Sequence, residues 1–184
     1  MYVALQDKVR LSKTQLLEIY KVKDSEQFTE IYRCLMDVID NYDIRDNIHR
    51  LAAFIAQVGY ESGKFRYLEE LVSGKEYEGR ADLGNIQKGD GPRYKGRGLI
   101  QITGRYNYEQ ISKDLDVDFV ANPKMLATPY YAVVSALWFW EKKELNKLAD
   151  EELFREITKK INGGYNGHEQ RVQLYSSALY VLTR

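Results

Sequence analysis

Apolar residues recur at the spacing of an α-helix through the first third of the chain. Ser12 followed by Gln15 is typical of a capping box, so we expect a first helix to begin there. A second helix is predicted from Ser25, because apolar positions follow it at helical spacing. A third helix is predicted over residues 45–61, with Gly63 just beyond its expected end.

The last third of the chain has the same helical periodicity. Thr128-Pro129 is a typical N-cap and first helical position. The predicted helix that follows is apolar almost all round, so we expect it to be central. Asp150 is predicted to open a further helix, which ends at the Asn-Gly-Gly of residues 162–164. A final helix is predicted from about Glu169.

The middle third is rich in glycine, and its apolar and polar residues alternate poorly. Residues 73–105 hold most of the glycines of the chain, which predicts short strands and tight turns, with residues 90–92 as one turn. The glycine spacing fits neither a Walker loop nor a dinucleotide-binding loop, so we expect no nucleotide site. Residues 1–184 are predicted to form one mainly α (α+β) domain, in which two helical lobes and a small glycine-rich β element border a substrate cleft.

The charge balance removes one class of function. Lysine plus arginine equals aspartate plus glutamate at 27 each, so the chain has no overall basic field for a nucleic-acid partner.

No apolar run has the length of a membrane span, and residues 1–17 hold no apolar stretch of signal-peptide length. We therefore expect synthesis in the cytoplasm without a signal peptide. One cysteine and two histidines cannot supply a zinc cluster, so no metal site is expected.

Glu61 is the first candidate for chemistry, because it follows an apolar helix and precedes a turn at Gly63. The negative end of the helix dipole and partial burial would both favour the protonated carboxyl that a general acid needs. A solvated glutamate at a helix end has the same pattern. Glycoside hydrolysis needs a second carboxyl group, and spacing alone does not choose among the next glutamates. These are Glu69, Glu70, Glu76 and Glu78.

A short apolar segment bracketed by glycines, residues 99–102, is the second candidate. Alternation places Gln101 and Thr103 on one face, opposite Ile100 and Ile102. Gln101 and Thr103, together with Asn107, could hold a water molecule or sugar hydroxyls. A buried polar strand edge has the same pattern.

Four stretches of the chain resemble glycoside hydrolase family 19, the chitinase and endolysin group with a lysozyme-like fold. The resemblance extends over about residues 44–171, and residues 94–108 carry its most specific motif. The four stretches are residues 53–65 with 69–70, 77–85, 94–108, and 122–123 with 136–140 and 161–164.

The resemblance implies an inverting mechanism with two glutamates, which requires no metal or organic cofactor. Glu61 matches the general acid of the family. In phage-type members the general base lies about nine positions further on, which implies Glu70, with Glu78 as the alternative because this chain shortens the segment. Thr103 matches the residue that helps to position the attacking water. The resemblance also implies a set of substrate-binding residues: Gln101, Tyr106, Asn107 and Asn162.

Two departures from the family pattern bear on the expected function. Tyr60 stands where the family usually has histidine before the acidic glutamate. The disulfides and long cleft loops of plant chitinases are missing, so the cleft should be shorter and more open, as in phage and bacterial members that act on peptidoglycan. We therefore expect an endolysin-like glycoside hydrolase that cuts β-1,4 bonds of peptidoglycan. The alternatives are a chitinase acting on poly-N-acetylglucosamine and an inactive glycan-binding module.

The expected setting follows from that function. The partner is a glycan strand of the bacterial cell wall, in the periplasm or outside the cell. A protein without its own export signal would need a delivery route, for which a separate holin-type pore is an option. A monomer is expected.

Overall fold

The computed structural model describes residues 8–184. The first seven residues of the segment for which no signal peptide was predicted lie outside the described residues. The described chain is mostly helical, as predicted. Its nine α-helices are α1 Lys13–Tyr20, α2 Glu26–Val38, α3 Ile48–Glu61, α4 Asp90–Arg93, α5 Arg105–Leu115, α6 Pro129–Lys142, α7 Leu145–Asp150, α8 Phe154–Asn162 and α9 His168–Leu182.

The N-terminal helices begin at the side-chain caps that the sequence predicts. The Ser12 hydroxyl accepts the Gln15 N–H, and the Gln15 side chain accepts the Ser12 N–H, so the predicted capping box is confirmed. Ser25 caps α2 in the same way through the N–H of Phe28. The α3 helix begins at Ile48, three residues later than predicted, because Asn47 supplies its cap.

The C-terminal helices agree with the predictions except around Asp150. Helix α6 begins at Pro129, and Gly163 in the left-handed region ends α8, as predicted. The prediction that Asp150 opens a helix was wrong, since Asp150 ends α7 and α8 begins at Phe154. Glu152 between them has φ +57°, which interrupts the helical backbone.

Helices α3 and α6 form the centre of the molecule. Every residue from Leu51 to Gly59 of α3 is buried, and α6 is buried from Ala132 to Trp138, which confirms its predicted central position. Helix α3 packs along α9, α6 packs against α2, and α1 packs against α9. The buried apolar side chains form one continuous core that extends from Leu11 to Val181. A helix enclosed on all sides has little freedom to shift, so the residue at its end is firmly placed.

The glycine-rich segment folds into turns more than into strands. Over residues 8–184, β pairing is confined to two isolated bridges that join Arg97 to Glu69 and to Ile102. Gly98 (φ +84°) and Gln101 (φ +57°) interrupt the extended backbone on which the strand prediction depended. The predicted turn at residues 90–92 is the start of the short helix α4. Helix α5, which follows this segment, was not predicted.

No helix in the described part of the chain combines the length and the apolar character needed to cross a membrane.

Candidate active site

Glu61 is the last residue of α3, and a buried arginine holds its carboxylate. Nη2 of Arg171, on α9, donates to Oε1 of Glu61 at 2.6 Å. The side chain of Glu61 is 17% exposed and that of Arg171 only 1%. The ion pair therefore lies where α3 and α9 pack together, with one side of the glutamate open to solvent.

The guanidinium of Arg171 belongs to a buried polar chain that links three helices. Its Nη1 donates to Oε1 of Gln57 at 2.6 Å, and Nε2 of Gln57 donates to the hydroxyl of Thr158 at 2.9 Å. Hydrogen bonds between charged and fully buried groups are among the stronger ones in proteins. The chain therefore fixes the guanidinium, and through it the orientation of the Glu61 carboxylate.

Tyr60 covers one face of the same guanidinium. The Arg171 Cζ lies 4.1 Å from the centre of the Tyr60 ring, within the range of a cation–π contact. A methyl group built at Gly167 would lie only 2.0 Å from the Tyr60 hydroxyl, and Gly167 also has φ +68°. The tyrosine that replaces the family's histidine thus packs on the arginine and requires a glycine opposite it.

The electrostatic setting of Glu61 differs from the one expected from sequence. The expectation counted the helix dipole and partial burial, both of which disfavour the carboxylate. Arg171 opposes them, because a guanidinium at hydrogen-bond distance stabilises the carboxylate. The same cation would stabilise the carboxylate that forms when a protonated Glu61 gives its proton to a leaving group.

Glu70 is held by uncharged donors. The hydroxyl of Tyr77 donates to Oε1 at 2.7 Å, and the backbone N–H of Gly96 donates to Oε2 at 3.0 Å. Burial, and after it the hydrogen bond to Glu70, raises the pKa of Tyr77 to about 12. The phenol therefore stays protonated near neutral pH and remains a donor to Glu70.

Gly96 brings Glu70 and Gln101 together. A methyl group built there would lie 2.8 Å from Oε1 of Gln101 and 3.2 Å from Oε2 of Glu70. The two side chains thus flank one glycine that has no room for a Cβ. Nε2 of Gln101 donates to the carbonyl of Gly98 at 2.8 Å, so its Oε1 is the end nearer to Gly96.

The neighbouring glutamates are engaged in holding the backbone. Glu69 accepts from Lys95 at 3.0 Å and Arg97 at 3.3 Å. Burial would raise the pKa of Glu69, but the hydrogen bond from Lys95 and the charge of Arg97 lower it overall. Glu78, the alternative base, uses one oxygen for the N–H of Gly89 (2.6 Å) and the other for that of Gly91 (2.8 Å). Both oxygens of Glu78 thus close the loop that leads into α4.

A groove of about 540 Å³ brings together four of the predicted residues with Tyr77, the partner of Glu70. The hydroxyl of Thr103 donates to the carbonyl of Gln101 at 2.9 Å, which leaves its lone pairs free to accept from a water molecule. The four predicted residues that line the groove are Thr103, Tyr106, Asn107 and Asn162.

Three polar residues of the groove keep hydrogen-bonding groups or exposed surface that a ligand could contact. Nδ2 of Asn107 donates to the carbonyl of Thr103 at 2.7 Å, so its side-chain oxygen is left to accept. Tyr106 is 57% exposed, which leaves a ring face available for a sugar. Asn162 is exposed at the end of α8.

Sequence reasoning missed the groups that hold the two glutamates. Arg171 is 110 positions from Glu61, and no local pattern links them. Tyr77 belongs to the second stretch of the family resemblance, residues 77–85, but no role was predicted for it. The described residues contain no group of three or more histidine, cysteine, aspartate or glutamate side chains placed to bind a metal ion.

Known proteins resemble this chain in sequence. The family 19 glycoside hydrolase model, described as chitinase class I, matches residues 41–157. A glycosyl hydrolase family 19 domain-containing protein of Haemophilus influenzae is 32% identical over 163 aligned residues, which covers 70% of this chain and 78% of that protein. Endochitinase At2g43610 of Arabidopsis thaliana is 39% identical over 115 residues, or 62% of this chain, and this chain spans only 39% of that protein.

Solved chitinases share the fold. Chitinase C from Streptomyces griseus HUT6037 superimposes with a TM-score of 0.76 at 21% identity, over 94% of this chain and 92% of that one. The class IV, family GH19 chitinase of Zea mays gives a TM-score of 0.71 at 23% identity, again over 94% of this chain and 92% of that one. The chain belongs to glycoside hydrolase family 19 and has the mostly helical fold of its chitinases.

Proposed function

We propose that this protein hydrolyses the β-1,4 glycosidic bonds of peptidoglycan with inversion of configuration. Protonated Glu61 donates to the glycosidic oxygen, while ionised Glu70 takes a proton from a water molecule. Thr103 orients that water, which attacks the anomeric carbon from the opposite face of the sugar. The reaction needs no further reagent than water.

The placement of Glu70 carries the proposal. Tyr77 lines the groove that holds Thr103, Asn107 and Asn162, and its hydroxyl donates to Glu70. Glu70 is not itself a lining residue, so it lies behind Tyr77, one hydrogen bond from the groove. A general base has to reach the water that it activates, and a groove of about 540 Å³ has room for a sugar unit and that water. Glu78, with both oxygens on backbone N–H groups, is less suited to the role.

The surroundings of Glu61 support the role of general acid. Proton donation leaves a carboxylate, and Arg171 stabilises that carboxylate from a fixed position. Stabilisation of charge that develops during the reaction accelerates it, because the enzyme gains more in the transition state than in the ground state.

Chitin is the second candidate substrate. The Arabidopsis relative is named an endochitinase, and the Streptomyces and maize proteins of the same fold are named chitinases. The two-carboxylate chemistry is the same for both glycans, since each is a β-1,4-linked polymer of amino sugars. An inactive glycan-binding module would bind either polymer without cutting it.

Release of reducing ends tests the proposal. We expect the parent to release them from purified peptidoglycan, and Glu61→Gln and Glu70→Gln each to lose roughly 10²–10⁴-fold. Glu30→Gln, which removes an exposed glutamate of α2, is the matched control and should retain full activity. Activity on chitin alone would favour the second candidate. Binding of glycan without release from either polymer would favour the inactive module, and full activity of Glu61→Gln would reject the assigned acid.

A further inference from the structure

The groove next to Glu70 is lined by cationic side chains. Four lysine or arginine residues contribute to its lining, and no aspartate or glutamate is among the lining residues of the described chain. The chain as a whole is neutral, with 27 residues of each sign, so this is a local asymmetry. The four cations are Arg80, Lys142, Lys143 and Lys160.

Two of these cations already have partners. Arg80 donates to both oxygens of Asp82, at 2.7 and 2.6 Å. Lys142 donates to Asp114 at 2.6 Å. Their charges are therefore largely compensated before any substrate binds.

The other two cations, Lys143 and Lys160, form no ion pair within residues 8–184. Nζ of Lys160 donates to the backbone carbonyl of Lys143 at 3.2 Å, which joins the last turn of α8 to the end of α6. The nearby carboxylate of Glu144 accepts a hydrogen bond from Lys147, which is the main cause of its lowered pKa. The charge of Lys160 lowers that pKa only slightly. Nζ of Lys143 lies 5.7 Å from the centre of the Phe139 ring. Within the described residues, neither ammonium group is paired with a carboxylate, so both charges remain uncompensated.

We propose that Lys143 and Lys160 form an anion subsite of the groove that binds a carboxylate carried by the glycan. The inference rests on the proposed function and narrows its substrate class to acidic glycans. The lactyl ether of muramic acid ends in a carboxyl group, which is either free or joined to a peptide with carboxylates of its own. Chitin carries neutral acetamido and hydroxyl groups only.

The position and chemistry of the two lysines fit this role. Lys160 is two residues before Asn162, and both line the groove that holds Tyr106 and Asn107. A glycan that lies along these residues passes the two ammonium groups. Lysine is a compact charge on a flexible stem, so it can follow a carboxylate whose position varies between free and peptide-linked lactyl groups.

Binding of three soluble glycans to matched variants tests the subsite. The Glu61→Gln variant serves as the background, so that bound strands are not cut. The probes are peptide-free peptidoglycan strands, peptide-bearing strands and the chitin hexamer. Lys143→Gln/Lys160→Gln removes the two proposed charges, and Lys88→Gln/Lys124→Gln removes two exposed lysines outside the groove lining.

We expect Lys143→Gln/Lys160→Gln to weaken binding of carboxylated strands about tenfold, the scale of two exposed ion pairs that act together. Binding of the chitin hexamer should not change, and added salt should reduce the difference between variant and parent. Loss with peptide-free strands would identify the lactyl carboxylate, and loss confined to peptide-bearing strands would identify the peptide. Equal weakening on the chitin hexamer, or the same effect from Lys88→Gln/Lys124→Gln, would overturn the subsite.

Activity of the parent separates this inference from the proposed function. Suppose that the parent cuts the chitin hexamer and binds carboxylated strands no more tightly than that hexamer. This result would overturn the subsite, while the protein would still be a glycoside hydrolase. A parent that cuts no glycan, yet binds carboxylated strands through the two lysines, would overturn the proposed function and support the subsite.

Discussion

The two proposed catalytic glutamates are held by opposite kinds of contact. Glu61 ends a helix that is buried from Leu51 to Gly59, and it is bonded to the charged, buried Arg171. Glu70 lies just before the glycine-rich segment and accepts from two uncharged donors within it, the Tyr77 hydroxyl and the Gly96 N–H. One carboxylate is thus fixed by a permanent charge on a rigid scaffold, and the other by neutral groups in a folded loop.

The difference matches the two tasks. A general acid ends its step as a carboxylate, so a fixed cation aids it. A general base has to attract a proton, and a permanent cation beside it would weaken that attraction. Glu69 illustrates the contrast, because Lys95 and Arg97 bind it and its pKa is lowered overall. The adjacent Glu70 has no such cation among its side-chain hydrogen bonds.

Replacement of Arg171 should have the largest effect on activity, because Arg171 supplies the charge that holds Glu61. We expect Arg171→Met to lower kcat by about two orders of magnitude, with a smaller change in KM, since it removes a fixed charge from the acid. Arg171→Lys should recover part of that loss, because it keeps the charge without the fork of donors. Steady-state kinetics on peptidoglycan would measure both. If kcat fell equally in the Met and Lys variants, and in proportion to their loss of stability, Arg171 would have only a structural role.

The glycine-rich segment is stabilised by another buried ion pair, between Arg105 and Asp90. Arg105, at the start of α5, donates to both oxygens of Asp90, which is almost fully buried. The hydrogen bonds from Arg105 lower the pKa of Asp90, so the ionised form stabilises the fold. We expect Asp90→Asn to reduce the free energy of unfolding by about 2–3 kcal/mol at pH 7.

The sign of the pH dependence makes this prediction specific. Because the folded-state pKa of Asp90 is lowered, its contribution is fully present above the unfolded value of about 3.9 and is lost as pH falls through the folded value. The difference between parent and Asp90→Asn in urea unfolding should therefore shrink below about pH 4. A difference that stays constant down to pH 2 would contradict the assignment.

Tyr77→Phe should have the smallest effect, because it removes one neutral hydrogen bond to Glu70. We expect kcat to fall roughly fivefold, the equivalent of about 1 kcal/mol, with little change in stability. Since the pKa of Tyr77 is about 12, the ratio of parent to variant rates should not vary across neutral pH. Tyr180→Phe, at an exposed position on α9, is the matched control and should behave as the parent.

Local signals predicted the helix ends, and long-range packing explains what they missed. Ser12 and Ser25 cap their helices within three residues, so sequence alone identifies them. Helix α5 was missed although Tyr108 and Ile111 recur at helical spacing and are buried, because the glycines before it dominated the pattern. The end of α7 at Asp150 depends on a backbone reversal that no local signal marks.

The structure brings only part of the predicted site together in one groove: Glu61, Glu70 and Gln101 are not among its lining residues. The family resemblance named Thr103, Asn107 and Asn162, and the structure shows that these three line one groove although Asn162 lies far along the chain. The ion pair between Glu61 and Arg171 arises only when α3 packs along α9, and a pattern read within one helix cannot contain it. The free lysines of the groove could likewise be recognised only after the paired ones were known.

The measurement that tests the assigned roles most directly compares Glu61→Gln and Glu70→Gln on two aryl glycosides of a chitin oligomer. One carries a poor leaving group, and the other carries dinitrophenol, which departs without protonation. The loss in Glu61→Gln should largely disappear on the dinitrophenyl substrate, since no acid is needed there, while the loss in Glu70→Gln should persist. A loss in Glu61→Gln that is equally large on both substrates would contradict its role as the general acid.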